Sequence, residues 1–464
     1  MSFFKTGFFT FVFFISLQAS AAFAQTNDST TIEERLAELE ASAATQRADK
    51  MSLKVSGQVN RAALMWDDGL ATDAYIVDNI FSSSRFIFSG KAAATKKVDA
   101  GFVIETEVRD AGSSNVSQLN DEGIDESNET GQSIRSRQAY WWVKSEDLGA
   151  VSVGQLSPAT NSLIYYKLWF ITVNTSPDTL ATTSFFVRNK SGDLTGLRWG
   201  AIASANDTPR GDYVRYESPA WRGFAVQGDW GENDLWDASA TYDGQLGDVK
   251  ISAAIGYFAD QETLNASSAR GSLLLTHVPT GLYAHFGADQ RSFYGQARED
   301  AAVVYGHLGI IGKWTPLGAT TVFGEYGRYN DFFAGRDAVS PSGLPVIGAS
   351  AANDYIASTQ VERRGFGVMQ AFDAAATELY AHYSHYEAQA RVADDAGAAE
   401  AQLEPWQSVL IGAGVKFCTH PSSPGRPGDP EDSSGNLLVK LEGRVKPGHD
   451  ELEGAQSYPC YRRA

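Results

Sequence analysis

From Leu53 onward, apolar and polar residues alternate with a period of two. Val55, Gly57 and Val59 are interleaved with Lys54, Ser56, Gln58 and Asn60, and Phe86 and Phe88 with Arg85, Ile87 and Ser89. Phe102, Ile104, Thr106 and Val108 likewise alternate with Val103, Glu105, Glu107 and Arg109. Successive side chains of a strand point to opposite faces, so the pattern predicts strands with one apolar and one polar face. A soluble sandwich alternates as well, but its turns fall evenly at both ends. Here the connections are strongly unequal.

Tight connections are expected near Lys96-Lys97, Asp147-Leu148, Pro219-Ala220, Gln245-Leu246, Pro279-Thr280, Pro316-Leu317 and Asp373-Ala374. Between them lie mostly longer connections, at residues 66–83, 110–133, 157–209, 231–235, 259–269, 290–302, 329–363 and 388–405. Short turns alternating with long loops are the pattern of an outer-membrane barrel. Seven turns and eight loops join sixteen strands, so the predicted fold is an all-β, 16-stranded antiparallel transmembrane β-barrel. Residues 194–203 look like a strand, but counting them would make the number odd; they are placed inside the third loop. Sixteen strands enclose an aqueous channel, whereas eight would be filled by side chains. Trp221 and Trp314 at short turns, and Trp230, Trp236, Tyr329 and Trp406 near outer strand ends, are expected in the headgroup layers.

Before the barrel, Lys5 precedes an apolar run from Phe8 to Leu17, and Ala22-Phe23-Ala24 supplies small residues for a secretory cleavage site. Residues 1–24 are therefore expected to be a signal peptide; the run is too short for a spanning helix, which needs about 20 residues. Residues 25–51 form a periplasmic linker with a short helix at about 30–46. Thr30-Thr31-Ile32-Glu33 reads as a capping box, and Ile32, Leu36, Leu39 and Ala43 share one face. That helix either joins protomers as a short coiled coil or packs at the barrel mouth.

A formal net charge of −18 over 464 residues argues against a nucleic-acid partner. The two cysteines, Cys418 and Cys460, leave residues 1–417 without a thiol for a disulfide framework, metal site or nucleophile. His277, His285 and His307 stand singly, with no HExxH spacing and no phosphate-binding glycine loop, so no metal site and no cofactor are expected. His382 and Ser384 share a strand face and raise a hydrolase alternative; the run from His382 to Tyr386 reads better as polar and aromatic lining, and no enzyme activity is expected.

Several stretches resemble the alphaproteobacterial general porins. They are Leu53 to Arg61 (LKVSGQVNR), Arg137-Gln138-Ala139-Tyr140, Gly149 to Gln155 (GAVSVGQ), Val214 to Pro219 (VRYESP), Glu378-Leu379-Tyr380 and the closing Gly412 to Phe417 (GAGVKF). The resemblance covers residues 53–417. It implies a trimeric porin, held in outer-membrane lipid and inserted by the barrel assembly machinery, whose third loop, 157–209, folds into the lumen opposite basic wall residues. Carried onto this chain, the basic side of the constriction falls to Arg85, Arg135, Arg137 and Arg215. Glu105 and Glu107 share the lumen face and balance the arginines or hold a cation. Arg61, on the apolar parity of its strand, is expected at a bulge or a strand end.

The third loop departs from the family pattern. Where relatives place acids it has Ile164-Tyr165-Tyr166-Lys167-Leu168-Trp169-Phe170, and its first acid is Asp178. A tighter, less cation-preferring constriction is expected. Asp121, Glu122, Asp125, Glu126 and Glu129 of the second loop would place negative potential at the outer mouth. The implied function is passive diffusion of small hydrophilic solutes and ions across the outer membrane. A substrate-specific channel, with Tyr165 to Phe170 as a stacking track for a sugar, and a blocked adhesin-type barrel remain the alternatives.

The last expected strand ends at Phe417, read as the assembly signal that closes the barrel. The 47 residues after it hold both cysteines and six of the fifteen prolines, and read as a disordered extension foreign to the family. Cys418 and Cys460 could pair there in an oxidising compartment.

Overall fold

The computed structural model describes residues 51–108, 111–123, 134–171, 173–205, 208–232, 234–262, 265–295, 298–333, 355–394 and 397–419. The expected leader and N-terminal helix, and the tail from residue 420, lie outside the described residues. The alternating stretches form β1 (Ser52–Asp67), β2 (Thr72–Asp78), β3 (Arg85–Ala93), β4 (Val98–Val108), β5 (Ile134–Ser145) and β6 (Gly149–Leu156). Next come β7 (Phe186–Arg188), β8 (Leu194–Arg198), a four-residue helix α1 (Trp199–Ile202), β9 (Gly211–Glu217), β10 (Phe224–Gly231), β11 (Trp236–Leu246) and β12 (Val249–Asp260). The remainder are β13 (Ala266–His277), β14 (Leu282–Phe293), β15 (Ala301–Thr315), β16 (Gly318–Asn330), β17 (Tyr355–Phe372), β18 (Thr377–Asp394), β19 (Gly397–Ala401) and β20 (Trp406–Thr419).

Sixteen of these, all but β2, β7, β8 and β19, pair antiparallel each with the next. β20 pairs back onto β1 from Val55↔Thr419 to Asp67↔Gln407, so the sheet closes. Closure satisfies every strand edge, the condition for a sheet to cross a bilayer. The two faces are inverted relative to a soluble protein. Phe86, Ile104, Trp141, Phe286, Leu308 and Phe366 point outward and are exposed, while Ser56, Gln58, Asn60, Glu105, Glu107 and Asp237 point inward and are buried.

The narrow side carries seven short turns, and the fourth is shifted from Gln245-Leu246 to Gly247-Asp248. Leu246 still pairs with Val249, and Gly247 takes the left-handed φ of 57° that the two-residue turn requires. On the other side several loops are shorter than the sequence suggests, because the strands run on: Ala259 and Asp260 still pair with Ser267 and Ala266. In the first loop, β2 folds back on the upper part of β1, from Arg61↔Asp78 to Asp67↔Thr72, while the lower part of β1 pairs with β3. Arg61 therefore sits neither at a bulge nor at an end. It faces outward where β1 changes partner, with its Nε 3.7 Å from Asp78 Oδ2.

The third loop is folded inside. β7 and β8 make a small separate hairpin followed by α1, so residues 194–203 lie within this loop and not in the wall. Phe185, Val187, Leu197, Trp199 and Ile202 of the loop form one core with inward residues of the wall, including Leu64, Trp66, Val361 and Tyr386. Tyr329 and Trp406, expected at the membrane interface, are wholly buried in this inner core. The phase of their strands explains it: Tyr329 shares the inward face with Glu325, and Trp406 with Ser408. Trp406 stacks on Trp66 at 5.5 Å and meets Phe185 at 4.4 Å between ring centroids.

Candidate functional site

The third loop follows the inner wall in strand order. Its start is tied to β10 and β11, where Asp229 accepts from the Ala159 N–H and Asp237 from the Thr160 N–H at 2.8 Å. Left-handed residues Ser162 and Lys167 then bracket a 3-10 turn, Leu163–Tyr165, that lies on β13 and β14. Ser272 donates to the Leu163 carbonyl at 2.6 Å, and a side chain at Gly287 would strike the Ile164 carbonyl. Leu168 and Ile171 pack on Leu274, Tyr283, Tyr305 and Phe323 of β13 to β16. The loop next meets Glu325 and Arg363 on β16 and β17, and its hairpin reaches Trp66 and Tyr75 on β1 and β2. On the remaining arc stand the sequence-predicted arginines.

There β3, β4, β5 and β9 bring Arg85, Arg137, Glu105 and Glu107 into one cluster, with Arg215 beside it. Arg85 Nη1 donates to Glu105 at 2.9 Å; Arg137 lies 2.9 Å from both Glu105 and Glu107. Gln138 donates to Glu105 at 2.5 Å and Ser83 to Glu107 at 2.9 Å. A register shift in β5 against Glu105 and Thr106 makes this possible: it turns Arg137 and its neighbour Gln138 toward the same face. Arg135 pairs across from Glu107. Arg215 donates its Nε to Asp229 at 2.9 Å and lies 3.8 Å from Glu217. Glu105 and Glu107 thus compensate the arginines directly.

Other expected residues are not brought to this arc. Asp178 is buried inside the loop, accepting from Ser204 at 3.1 Å. Tyr166 donates to Asp243 at 2.7 Å and Lys167 lies 3.9 Å from the same carboxylate, while Tyr165 accepts from Ser162 at 2.8 Å. Trp169 opens a second 3-10 turn, Trp169–Ile171. Asp121 and Glu122 are exposed in the second loop; Asp125, Glu126 and Glu129 lie outside the described residues. Phe417 faces outward at the closing seam, over Gly57 of β1 and tilted against Phe86 with centroids 5.7 Å apart. β20 runs two residues past it, to Thr419.

The largest group absent from the sequence reading centres on Glu325. It is ion-paired with Arg363 at 2.8 Å and accepts from Thr175 and Tyr305 at 2.7 Å each. His307 and His382 place Nε2 at 3.2 and 3.1 Å from it. Arg363 in turn donates to the Ser176 carbonyl at 2.6 Å and to Thr175 Oγ1. Ser384 is 3.3 Å from His382 Nδ1, in the same buried group. Inward parity was the available signal, since Glu325 and Arg363 each occupy the lumen face. Near the mouth, Arg188 of the loop donates to Asp68 at 2.7 Å. Burial pushes the Asp68 carboxyl up, but the bonds from Arg188, Ala71, Gln118 and Leu70 outweigh it and hold it below the ordinary value.

A closed 16-stranded barrel, apolar outside and polar inside, with an inward-folded loop facing an arginine cluster, defines an outer-membrane pore. The family model described as Gram-negative porin matches residues 12–343, and the chain belongs to that family. It is a passive diffusion channel of the outer membrane. A search of the curated proteins gives no match. Among solved structures, the anion-selective porin from Comamonas acidovorans is similar with a TM-score of 0.50 at 15% identity, over 79% of this chain and 100% of that one. OmpT of Vibrio cholerae lacking loop L8 has a TM-score of 0.48 at 14% identity, over 79% and 100% of the two chains. OmpF of Salmonella typhi in complex with daunomycin gives 0.45 at 8% identity, over 80% and 99%. At 15% identity the likeness to the Comamonas porin is one of fold.

Proposed function

We propose that this channel is a general diffusion porin in which small hydrophilic solutes and ions pass between the third loop and the arc of Arg85, Arg135, Arg137 and Arg215. The observation that carries the reading is the ion pairing of that arc. Arg85, Arg137 and Arg215 contact Glu105, Glu107 or Asp229 within 3 Å, and Asp178 is buried away from them. Wall and loop then set up a weak transverse field, and the channel discriminates modestly between cations and anions despite the net charge of −18. Exposed Asp121 and Glu122 raise local cation concentration at the mouth. Reversal potentials in a salt gradient test both parts: Arg137→Gln should shift selectivity toward cations, and neutralising the second-loop acids should shift it toward anions. Strong cation preference surviving the second change would sink the mouth effect.

The assembled unit in this reading is a homotrimer, as membership of the family implies, with Phe417 serving in assembly. The reading includes no catalytic step. Ser384 and His382 act as polar lining within the Glu325 group, and purified protein should conduct without releasing fatty acid from phospholipid. Lipase activity in protein that does not conduct would replace this reading with a hydrolase.

A further inference from the structure

On the narrow-turn side of the arginine cluster, the lumen wall becomes apolar. Two residues along β3 and β4 from Arg85 and Glu105 stand Ile87 and Val103, both inward and buried, with Tyr140 packed against them. Trp142 covers Gly101 on the same face, where an added Cβ would stand 2.5 Å from its ring. These four side chains line one cavity of about 190 Å³. Apolar side chains facing an aqueous lumen require a reason, since water there gains nothing from them.

The charged residues lining this cavity are Lys54, Lys91, Arg215 and Glu217, and behind them Asp229 pairs with Arg215 at 2.9 Å. Lys91 is paired with Asp99 at 2.8 Å, whereas Lys54 has no carboxylate within 4 Å among the described residues. Arg215 is nine-tenths buried, and its Nη2 has no hydrogen-bond partner. A buried guanidinium nitrogen left unpartnered is costly unless an acceptor completes it. The chemistry that satisfies every part is a flat apolar group carrying one anionic acceptor. A cavity of ~150 Å³ holds a benzene ring.

We propose that this cavity is a binding subsite for single-ring aromatic carboxylates, the ring lying between Trp142, Tyr140, Ile87 and Val103 and the carboxylate meeting Arg215 and Lys54. The inference rests on the diffusion-channel reading, because the lumen must admit the solute. Binding is read by the fluorine NMR linewidth of 4-fluorobenzoate added to the folded full chain in detergent. Saturable broadening above detergent alone is expected, absent for fluoroacetate, which lacks the ring, and for 4-fluorobenzyl alcohol, which lacks the charge. Trp142→Ala should weaken binding about tenfold, the size of a lost ring contact with its buried area. Lys54→Gln, which leaves the apolar wall intact, should weaken it severalfold. Broadening that is absent, that is matched by the alcohol, or that is unchanged in Lys54→Gln and Trp142→Ala overturns the proposal. Potassium chloride conductance is measured separately in planar bilayers; its absence overturns the channel reading, and the binding data still decide the cavity.

Discussion

Replacing Arg363 by methionine asks whether one buried charge pair locks the third loop to the wall. The guanidinium is wholly buried, holds Glu325 at 2.8 Å, and donates to the Ser176 carbonyl at 2.6 Å as well as to Thr175. In the variant, Glu325 keeps the hydroxyls of Thr175 and Tyr305 and the imidazoles of His307 and His382 but faces the interior without its permanent counter-charge. Breaking a buried pair in this way costs about 3–5 kcal/mol, because the stranded charge remains desolvated. Even ~3 kcal/mol lowers the ratio of docked to undocked loop about a hundredfold. The apolar contacts oppose release. Leu168, Ile171, Phe185 and Trp199 are essentially buried, and each contributes roughly 1.5–3 kcal/mol through its burial. The expected outcome is a loop loosened around residues 173–178 inside an intact barrel. Single-channel recordings should show the parental mean conductance with much larger open-state noise, and the folded barrel should still shift on gels when heated. The Glu325→Gln, Arg363→Met double variant removes both charges and should recover most of the quiet state, as exchange of a whole buried pair is often near neutral. Parental noise in Arg363→Met, or a double variant as noisy as the single, would refute the lock.

Trp199→Ala removes a fully buried ring from the inner core and should cost about 3–5 kcal/mol, read as a lower melting temperature and added current noise; Trp221→Ala, on an exposed outward ring, should change neither. Gly287→Val forces a side chain into the Ile164 carbonyl and should displace the start of the third loop at a cost of about 1–3 kcal/mol, altering conductance while the barrel remains folded; an unchanged conductance would contradict the loop path. The lowered Asp68 carboxyl stabilises the loop hairpin at neutral pH, and this contribution persists above about pH 4 and is lost as pH falls through the lowered folded value. Protease protection of residues 186–198 should therefore decline in strong acid in the parent, whereas Asp68→Asn should start lower and lack that step.

The wall was legible because its signal is local. A period of two placed Arg85, Glu105 and Glu107 inward without knowledge of any partner strand. The same period gave a less complete account of β5, where it sets Arg137 and Gln138 on opposite faces. The register shift beside Glu105 brings both inward, and no turn residue marks it. Tyr329 and Trp406 show a different limit. An aromatic residue at a strand end suits a headgroup layer or an inner core equally, and only counting phase back to Glu325 or forward to Ser408 separates them. The loop lock was out of reach, since Thr175 and Glu325 are 150 residues apart and Ser176 and Arg363 are 187 apart. Their meeting depends on the path of a loop that has neither period nor motif.

That path separates two tasks that a loop rich in acids would combine. Here an inner core and the Glu325 pair hold the loop, and Asp178 is spent within it, whereas charge toward the arc comes from Arg85, Arg137 and their own strand neighbours. Asp229 serves both, holding the Ala159 N–H at the loop's start and Arg215 of the arc; beyond it, the residues that fix the width of the passage differ from those that set its field. Arg137→Gln should change reversal potential without raising open-state noise, and Arg363→Met should raise noise with little change in reversal potential. If either substitution moved both quantities together, the loop and the arc would be one electrostatic unit, and the separation of anchoring from field would fall.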